Sequence, residues 1–244
     1  MNDQVFQLQI VINGGLTPIQ SKPETLDKLV KEFAINHLLF PKEITEQLIE
    51  INSQDGSQTK KITKFIDLVS SNQKCTYQIR NDSLVFLNSF EKIEELESIF
   101  EKFFKSFSDL TPYINYKQSK RLGLVLIRED YNEVTLREYC TSEELDRNVI
   151  ENRSRKVTRF AMAELNEMVN LSVSKDYVTH ESGVSRNTLA SVYDVNTLST
   201  KDVFRFTSKD VVKFINASKK FILESIDLLR KSLLQVHPIY QCSD

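Results

Sequence analysis

The run from Phe90 to Phe107 constrains the fold more than any other stretch. Phe90, Ile93, Leu96, Ile99, Phe100, Phe103, Phe104 and Phe107 recur at intervals of mostly three and four residues. On a helix that spacing gathers them into one apolar stripe. Glu91, Lys92, Glu95, Glu101, Lys102 and Lys105 cover the rest of the surface. A stripe this rich in phenylalanine needs a broad apolar surface to lie on. The flanking segments SLVFLNSF and KRLGLVLIRE supply one, because both alternate as strands do.

The rest of the chain is ordered around this unit. Phe6, Leu8, Ile10 and Ile12 predict a half-buried first strand, closed by Asn13-Gly14-Gly15. Ser21 and Glu24 have capping-box spacing, and Leu26, Leu29, Val30, Phe33 and Ala34 form a helix face behind them. Pro41 interrupts that helix. Ile44, Leu48 and Ile51 predict a further short helix, and Ile62, Phe65, Ile66 and Val69 fit a third helix or a strand. Tyr77 and Ile79, then Leu84 and Phe86, predict a hairpin turning at Arg80 to Ser83.

Leu122, Leu124 and Leu126 alternate with Gly123, Val125 and Ile127, so the strand after the Phe-rich helix is apolar on both faces and central in its sheet. Gly123 inside it predicts a bulge or a close backbone approach. Residues 130–152 read as a polar loop with one helical turn near Ser142 to Arg147. Lys156 to Leu165, Glu167 to Val173 and Asn187 to Asn196 read as strands. Ser208 and Asp210 open a final long helix that stops before Pro238.

The expected fold is therefore α+β, an antiparallel sheet with long amphipathic helices packed on it. It divides at residue 129 into an N-terminal half, 1–129, and a C-terminal half, 130–244, either as two units or as one continuous domain. The chain has 244 residues, enough for either arrangement. Trp is absent and 15 Phe carry the aromatic packing. A formal charge of -2 creates no global basic field. Cys75, Cys140 and Cys242 are odd in number and widely spaced, which argues against a disulfide framework or a structural zinc site and for a reducing cytoplasm. No run approaches the ~18 apolar residues of a membrane span.

Three stretches carry a resemblance. They are the hairpin YQIRNDSLVFLNSF, the strand KRLGLVLIRE, and the ending LASVYDVNT with a helix beyond it. Together they resemble a family of bacterial proteins of sporadic distribution and unknown function. The second is similar to that family's Arg-Val-Gly-Leu-Arg-Tyr-Asn strand. The Arg-Tyr-Asn positions are Val125, Leu126 and Ile127 here, and the family's frequent helix His falls near Ser218. The resemblance implies the fold and brings no agreed activity. Its sporadic occurrence implies a mobile or defence-related bacterial system.

Chemistry is sparse. His37, His180 and His237 lack metal-ligand spacing. Cys140 lies in a polar loop without a sequence partner for nucleophilic work. Asp176, Asp194, Glu164 and Glu167 lie near strand ends or a turn, where paired carboxylates can hold a metal for hydrolysis. Gly14-Gly15 is not part of a phosphate-binding motif. Arg147, Arg153, Arg155, Lys156 and Arg159 fall within thirteen residues, and Lys117, Lys120 and Arg121 open the central strand. Such a cluster either meets an acidic partner or phosphates, or is solvated beside Glu143, Glu144 and Glu151. The expectation is a non-catalytic, cytoplasmic accessory protein without cofactor or metal. It contacts a protein partner through Arg147, Arg153, Arg155 and Arg159. A nucleic-acid-binding role for residues 147–159, and a hydrolase or nuclease with an unrecognised acidic site, are the alternatives.

Overall fold

The computed structural model describes residues 4–16, 23–51, 58–131, 151–178, 188–198 and 203–235. Among these residues nine strands form one antiparallel sheet. They are β1 (Gln4–Asn13), β2 (Leu39–Ile51), β3 (Gln58–Ser70), β4 (Cys75–Ile79), β5 (Ser83–Phe90), β6 (Arg121–Asp130), β7 (Glu151–Met162), β8 (Glu167–Val178) and β9 (Thr188–Thr197). Their order across the sheet is β2-β3-β4-β5-β1-β6-β9-β8-β7. Among the described residues three helices complete the α+β fold: α1 (Pro23–His37), α2 (Leu96–Leu110) and α3 (Ser208–Gln235).

Period-two alternation decides which face of the sheet is covered. Phe6, Leu8, Ile10 and Ile12 of β1 are buried, as are Leu122, Leu124 and Leu126 of β6. They join Leu29 and Phe33 of α1, the α2 stripe, and Val211, Phe214, Ile215 and Ile222 of α3 in one core. The helices therefore lie on one face, where they take each central strand's alternate apolar residues out of water. The β1–β6 register runs unbroken from Gln4↔Asp130 to Asn13↔Arg121.

The Phe-rich helix begins later than its sequence spacing predicts. Phe90 is the last residue of β5, stacked on Phe6 with centroids 5.2 Å apart, and Ile93 lies in a 3-10 turn. The period-two series Leu84, Phe86, Asn88, Phe90 prevails there, because Phe6↔Phe90 pairing places both rings on the core face. The Glu95 carboxylate accepts hydrogen bonds from the Glu91 and Lys92 amides at 3.3 and 3.0 Å, which secures the entry to α2. From there Leu96, Ile99, Phe100, Phe103, Phe107 and Leu110 are buried. Phe103 packs on Phe86 and Phe107, both at 5.3 Å. Tyr77, fully buried, shares a hydrogen bond with Ser106 beneath α2.

Residues 39–51 and 58–70, expected as a helix and as a helix or strand, form paired strands β2 and β3 in a register running from Leu39↔Ser70 to Ile51↔Gln58. Ile44, Leu48 and Ile51 matched helical spacing, but the β-branched residues Ile44, Thr45, Ile49, Thr59, Ile62 and Thr63 suit an extended chain once partners are present. Pro41 is accommodated because β2 is an edge strand. The expected capping pair at Ser21 and the helical turn near Ser142 to Arg147 lie outside the described residues. The cap of α3 is Thr207, with Ser208 the first helical residue: the Thr207 amide donates to Asp210 at 2.9 Å, and the Asp210 amide returns to Thr207 Oγ1 at 3.4 Å.

Gly123 shows neither the bulge nor the close approach expected of it. β6 passes through it in register with both neighbours, and an added Cβ would lie 3.7 Å from Val11 Cβ, an ordinary contact. Gly15 is the opposite case. Its φ is +76°, and an added Cβ would lie 1.8 Å from the Gln118 carbonyl oxygen. Gly123→Ala is expected to stabilise the fold by ~0.4–1 kcal/mol, whereas Gly15→Ala should destabilise it by more than that. Urea denaturation midpoints check both signs. Phe103→Ala should cost ~3–5 kcal/mol through the cavity it leaves under α2. An unchanged midpoint would place that ring outside the core.

The buried phenols make stability depend on alkaline pH. Burial holds the Tyr77 hydroxyl protonated well above the usual tyrosine value and pushes Tyr116 up to about 12. In the unfolded chain both ionise near ~10. Between these values the folded state keeps protons that the unfolded state has lost. Stability present below pH ~10 is therefore lost as pH rises toward about 12. Denaturation midpoints at about pH 9 and about pH 11 should fall in that order, and Tyr116→Phe should reduce the drop.

Candidate partner-binding surface

One face of the sheet is left uncovered by helices among the described residues. It carries Val5, Gln7, Gln9 and Val11 of β1, Val85 and Leu87 of β5, Val125 and Ile127 of β6, and Val192 and Asp194 of β9, all half-buried. Asp194 is the charged residue in this set, and further charge lies toward the two edges of the face. At one edge β2 carries Lys42 and Glu46, both exposed. At the other, β7 carries Arg153, Arg155 and Arg159.

Strand β7 starts at Glu151, five residues before the expected start at Lys156. The reason is its partner: β8 runs on to Val178, and the register Glu151↔Val178 through Met162↔Glu167 is continuous. Asn166, with φ of 53°, closes the turn between them, a left-handed conformation that asparagine tolerates. The longer strand places Arg153, Arg155, Val157 and Arg159 at alternate positions on the uncovered face. Their partners are on β8. Arg153 Nε donates to Asp176 Oδ1 at 2.8 Å, Arg155 Nε to Ser172 Oγ at 2.9 Å, and Arg159 Nε to Asn170 Oδ1 at 3.2 Å. Arg155 closes over Ser172, which is 5% exposed. Val157 remains 54% exposed between the arginines. The intervening residue Phe160 faces the other way, against Phe221 of α3 at 4.2 Å.

Of the arginines singled out in the sequence, the structure brings Arg153, Arg155 and Arg159 together on one strand. Arg147 lies outside the described residues. Of the second basic group, Lys120, just before β6, lies over the Phe204 ring at 4.9 Å.

The other chemical candidates have structural surroundings. His37 is buried against Phe33, and its Nε2 lies 2.9 Å from Asp109, joining the ends of α1 and α2. Asp176 meets Arg153, Glu167 meets Arg205 Nε at 3.0 Å, and Asp194 accepts from Asn196 at 3.1 Å. Glu164 is exposed at the β7–β8 turn. Burial pushes the Cys75 thiol up, so it is a poor nucleophile at neutral pH. Cys140, His180 and His237 lie outside the described residues. Among the described residues no three His, Cys, Asp or Glu side chains gather as metal ligands, and no helix is long and apolar enough to cross a membrane.

Two features escaped sequence reasoning. Arg80 lies over Phe65 at 4.6 Å and reaches Asp67 at 2.6 Å and Glu46 at 3.1 Å, tying β2, β3 and the β4–β5 turn together on the uncovered face. Its place in a turn motif, far in sequence from Glu46, gave no signal. The second is a depression of about 170 Å³ lined by Val5, Phe6, Gln7, Ser89, Ile127 and Glu129. Tyr131 beside it donates to Glu129, and that hydrogen bond, with burial, pushes its phenol up to about 12. The depression is below the roughly 300–1,000 Å³ of ordinary small-molecule sites. The geometry offers a surface more readily than a pocket. No protein-family model matches the chain, and no curated protein matches its sequence.

Proposed function

We propose that the protein is a non-catalytic accessory protein of a bacterial complex that binds a protein partner through β7. The observation that supports this reading is the row Arg153, Arg155 and Arg159, each rooted by its Nε on β8, with exposed Val157 between them. Arginine beside an exposed apolar residue is the composition of recognition surfaces. The Nε contacts restrict the side chains before a partner arrives, which lowers the entropy lost on binding. In this reading α2 and α3 are the long amphipathic backing of the sheet, and the halves 1–129 and 130–244 act as one body. A cytoplasmic location is the expectation carried by the sparse, unpaired cysteines, and a defence-related role the one carried by the family resemblance.

Nucleic acid is the second reading, favoured by the same basic row. It differs in requiring a steep loss of affinity with added salt for oligonucleotides of any sequence. The test of the first reading is affinity capture from the native host with wild-type protein and with Arg153→Glu/Arg155→Glu. The exchange should leave stability within ~1 kcal/mol, since exposed ion pairs contribute little. A partner captured by the wild type should be lost by the variant. Equal recovery at low salt, where charge contacts count most, would remove β7 from the interface.

A further inference from the structure

β7 is the last strand of the sheet, paired only on its β8 side among the described residues. Its twelve residues follow β8 without a bulge, and it contains no proline. An edge of that length is a template for another strand. Arginine and lysine on such an edge discourage indiscriminate pairing, and they also select the charge of any strand that can join.

The selection can be read position by position. Residues of one face repeat every ~6.6–6.8 Å along a strand. A segment laid beside β7 has the same repeat, so its alternate side chains come opposite Arg153, Arg155, Val157 and Arg159. Carboxylates suit the arginine positions, because a guanidinium rooted at Nε can still present its terminal nitrogens to a carboxylate. An apolar residue suits Val157. The β7 strand of a second copy would set arginine against arginine, which disfavours that occupant. Single-stranded nucleic acid would need aromatic rings for its bases. The aromatic residues of this strand pair, Phe160 and Tyr177, belong to the helix-covered face, where Phe160 meets α3 and Tyr177 is buried.

We propose that β7 takes up an extended acidic segment of the partner protein as a tenth strand. Arg155 and Arg159 engage carboxylates four residues apart, and Val157 contacts an apolar residue midway between them. This deepens the partner-binding reading above and rests on it. Main-chain hydrogen bonds along the free edge supply affinity, and the alternating side chains supply specificity.

The test uses the full chain and two fluorescent capped peptides, TETETVTET and its reverse TETVTETET, which cover parallel and antiparallel addition. One peptide should bind. Arg155→Glu/Arg159→Glu should weaken it by roughly tenfold or more, as should raising salt from about 50 to about 500 mM. Circular dichroism of the variant should match the wild type. Methylating alternate peptide amides then tests the mode. One set should abolish binding and the complementary set should leave it nearly intact, because only one edge of the added strand faces β7. If both methylated sets bind alike and the arginine exchange still weakens them, strand addition is wrong and the partner-binding reading stands. Binding indifferent to the arginines overturns both. Tighter binding of a ten-residue oligothymidine overturns the proposal in favour of nucleic acid. Self-association lost on Glu46→Lys overturns it in favour of β2 of a second copy.

Discussion

The pairing of β1 with β6 is the contact on which the rest of the sheet depends. β1 is made first and β6 more than a hundred residues later, yet they lie side by side from Gln4↔Asp130 to Asn13↔Arg121. β5 attaches to the other side of β1, and β9 to the other side of β6. Strands from both parts of the chain thus join one ladder through a single interface. Its core face is a row of Leu and Ile from both strands, with Leu8 beside Leu126 and Ile10 beside Leu124. Such non-local pairing involves closing a long loop before its contacts form.

Packing all three helices on one face has consequences for the other. The covered face can be almost wholly apolar, although Ser218 Oγ of α3 is buried with no hydrogen-bond partner among the described residues. Arg128 and Asp130, both buried on that face, form an ion pair, with Arg128 Nε and Nη2 donating to Asp130 Oδ1 at 3.1 and 2.9 Å. Gln4 adds a donor at 2.6 Å. Removing one member of such a pair leaves a buried charge without its partner, at a cost of ~3–5 kcal/mol. The uncovered face is open to water, so it mixes Val, Gln, Ser and Asn with charged residues such as Asp194, and its edges carry more charge. The open edges of a sheet are also where its backbone remains available to a partner. In the proposed reading this combination is what equips β7 for recognition.

Interactions distant in sequence hold the frame that presents this surface. Arg205 joins Glu167 of β8 to the Lys120 carbonyl just before β6, at 3.0 Å each, and lies over Phe206 at 4.4 Å. Tyr116 donates to the Phe206 carbonyl at 2.8 Å. These contacts seat the start of α3 against the β6 end of the sheet. Tyr77 does the corresponding work under α2, with Phe33, Phe86 and Phe103 around its ring. The aromatic content is therefore concentrated between sheet and helices, and the uncovered face at β7 is left to arginine.

Local periodicity was enough to read β1, the β4–β5 hairpin, β6 and most of α2, because in each the burial pattern is written within about ten consecutive residues. The α+β class and the antiparallel sheet follow from those elements. Strand order did not, since nothing in residues 4–13 says that they will lie between β5 and β6. For the same reason spacing alone points β2 to a helix and leaves β3 open between helix and strand: Ile44 and Ile62 take strand geometry from each other's strand. At the candidate surface the arginines were legible as a cluster. Their alignment was not, because Arg153 and Arg155 belong to a strand only through Asp176 and Ser174 on β8. The sequence by itself determined which residues are apolar in which period, a property of each short segment. Only the tertiary structure decided which strands are neighbours, which face stays open and which edge is basic, because these are set by hydrogen bonds and packing between segments far apart in the chain.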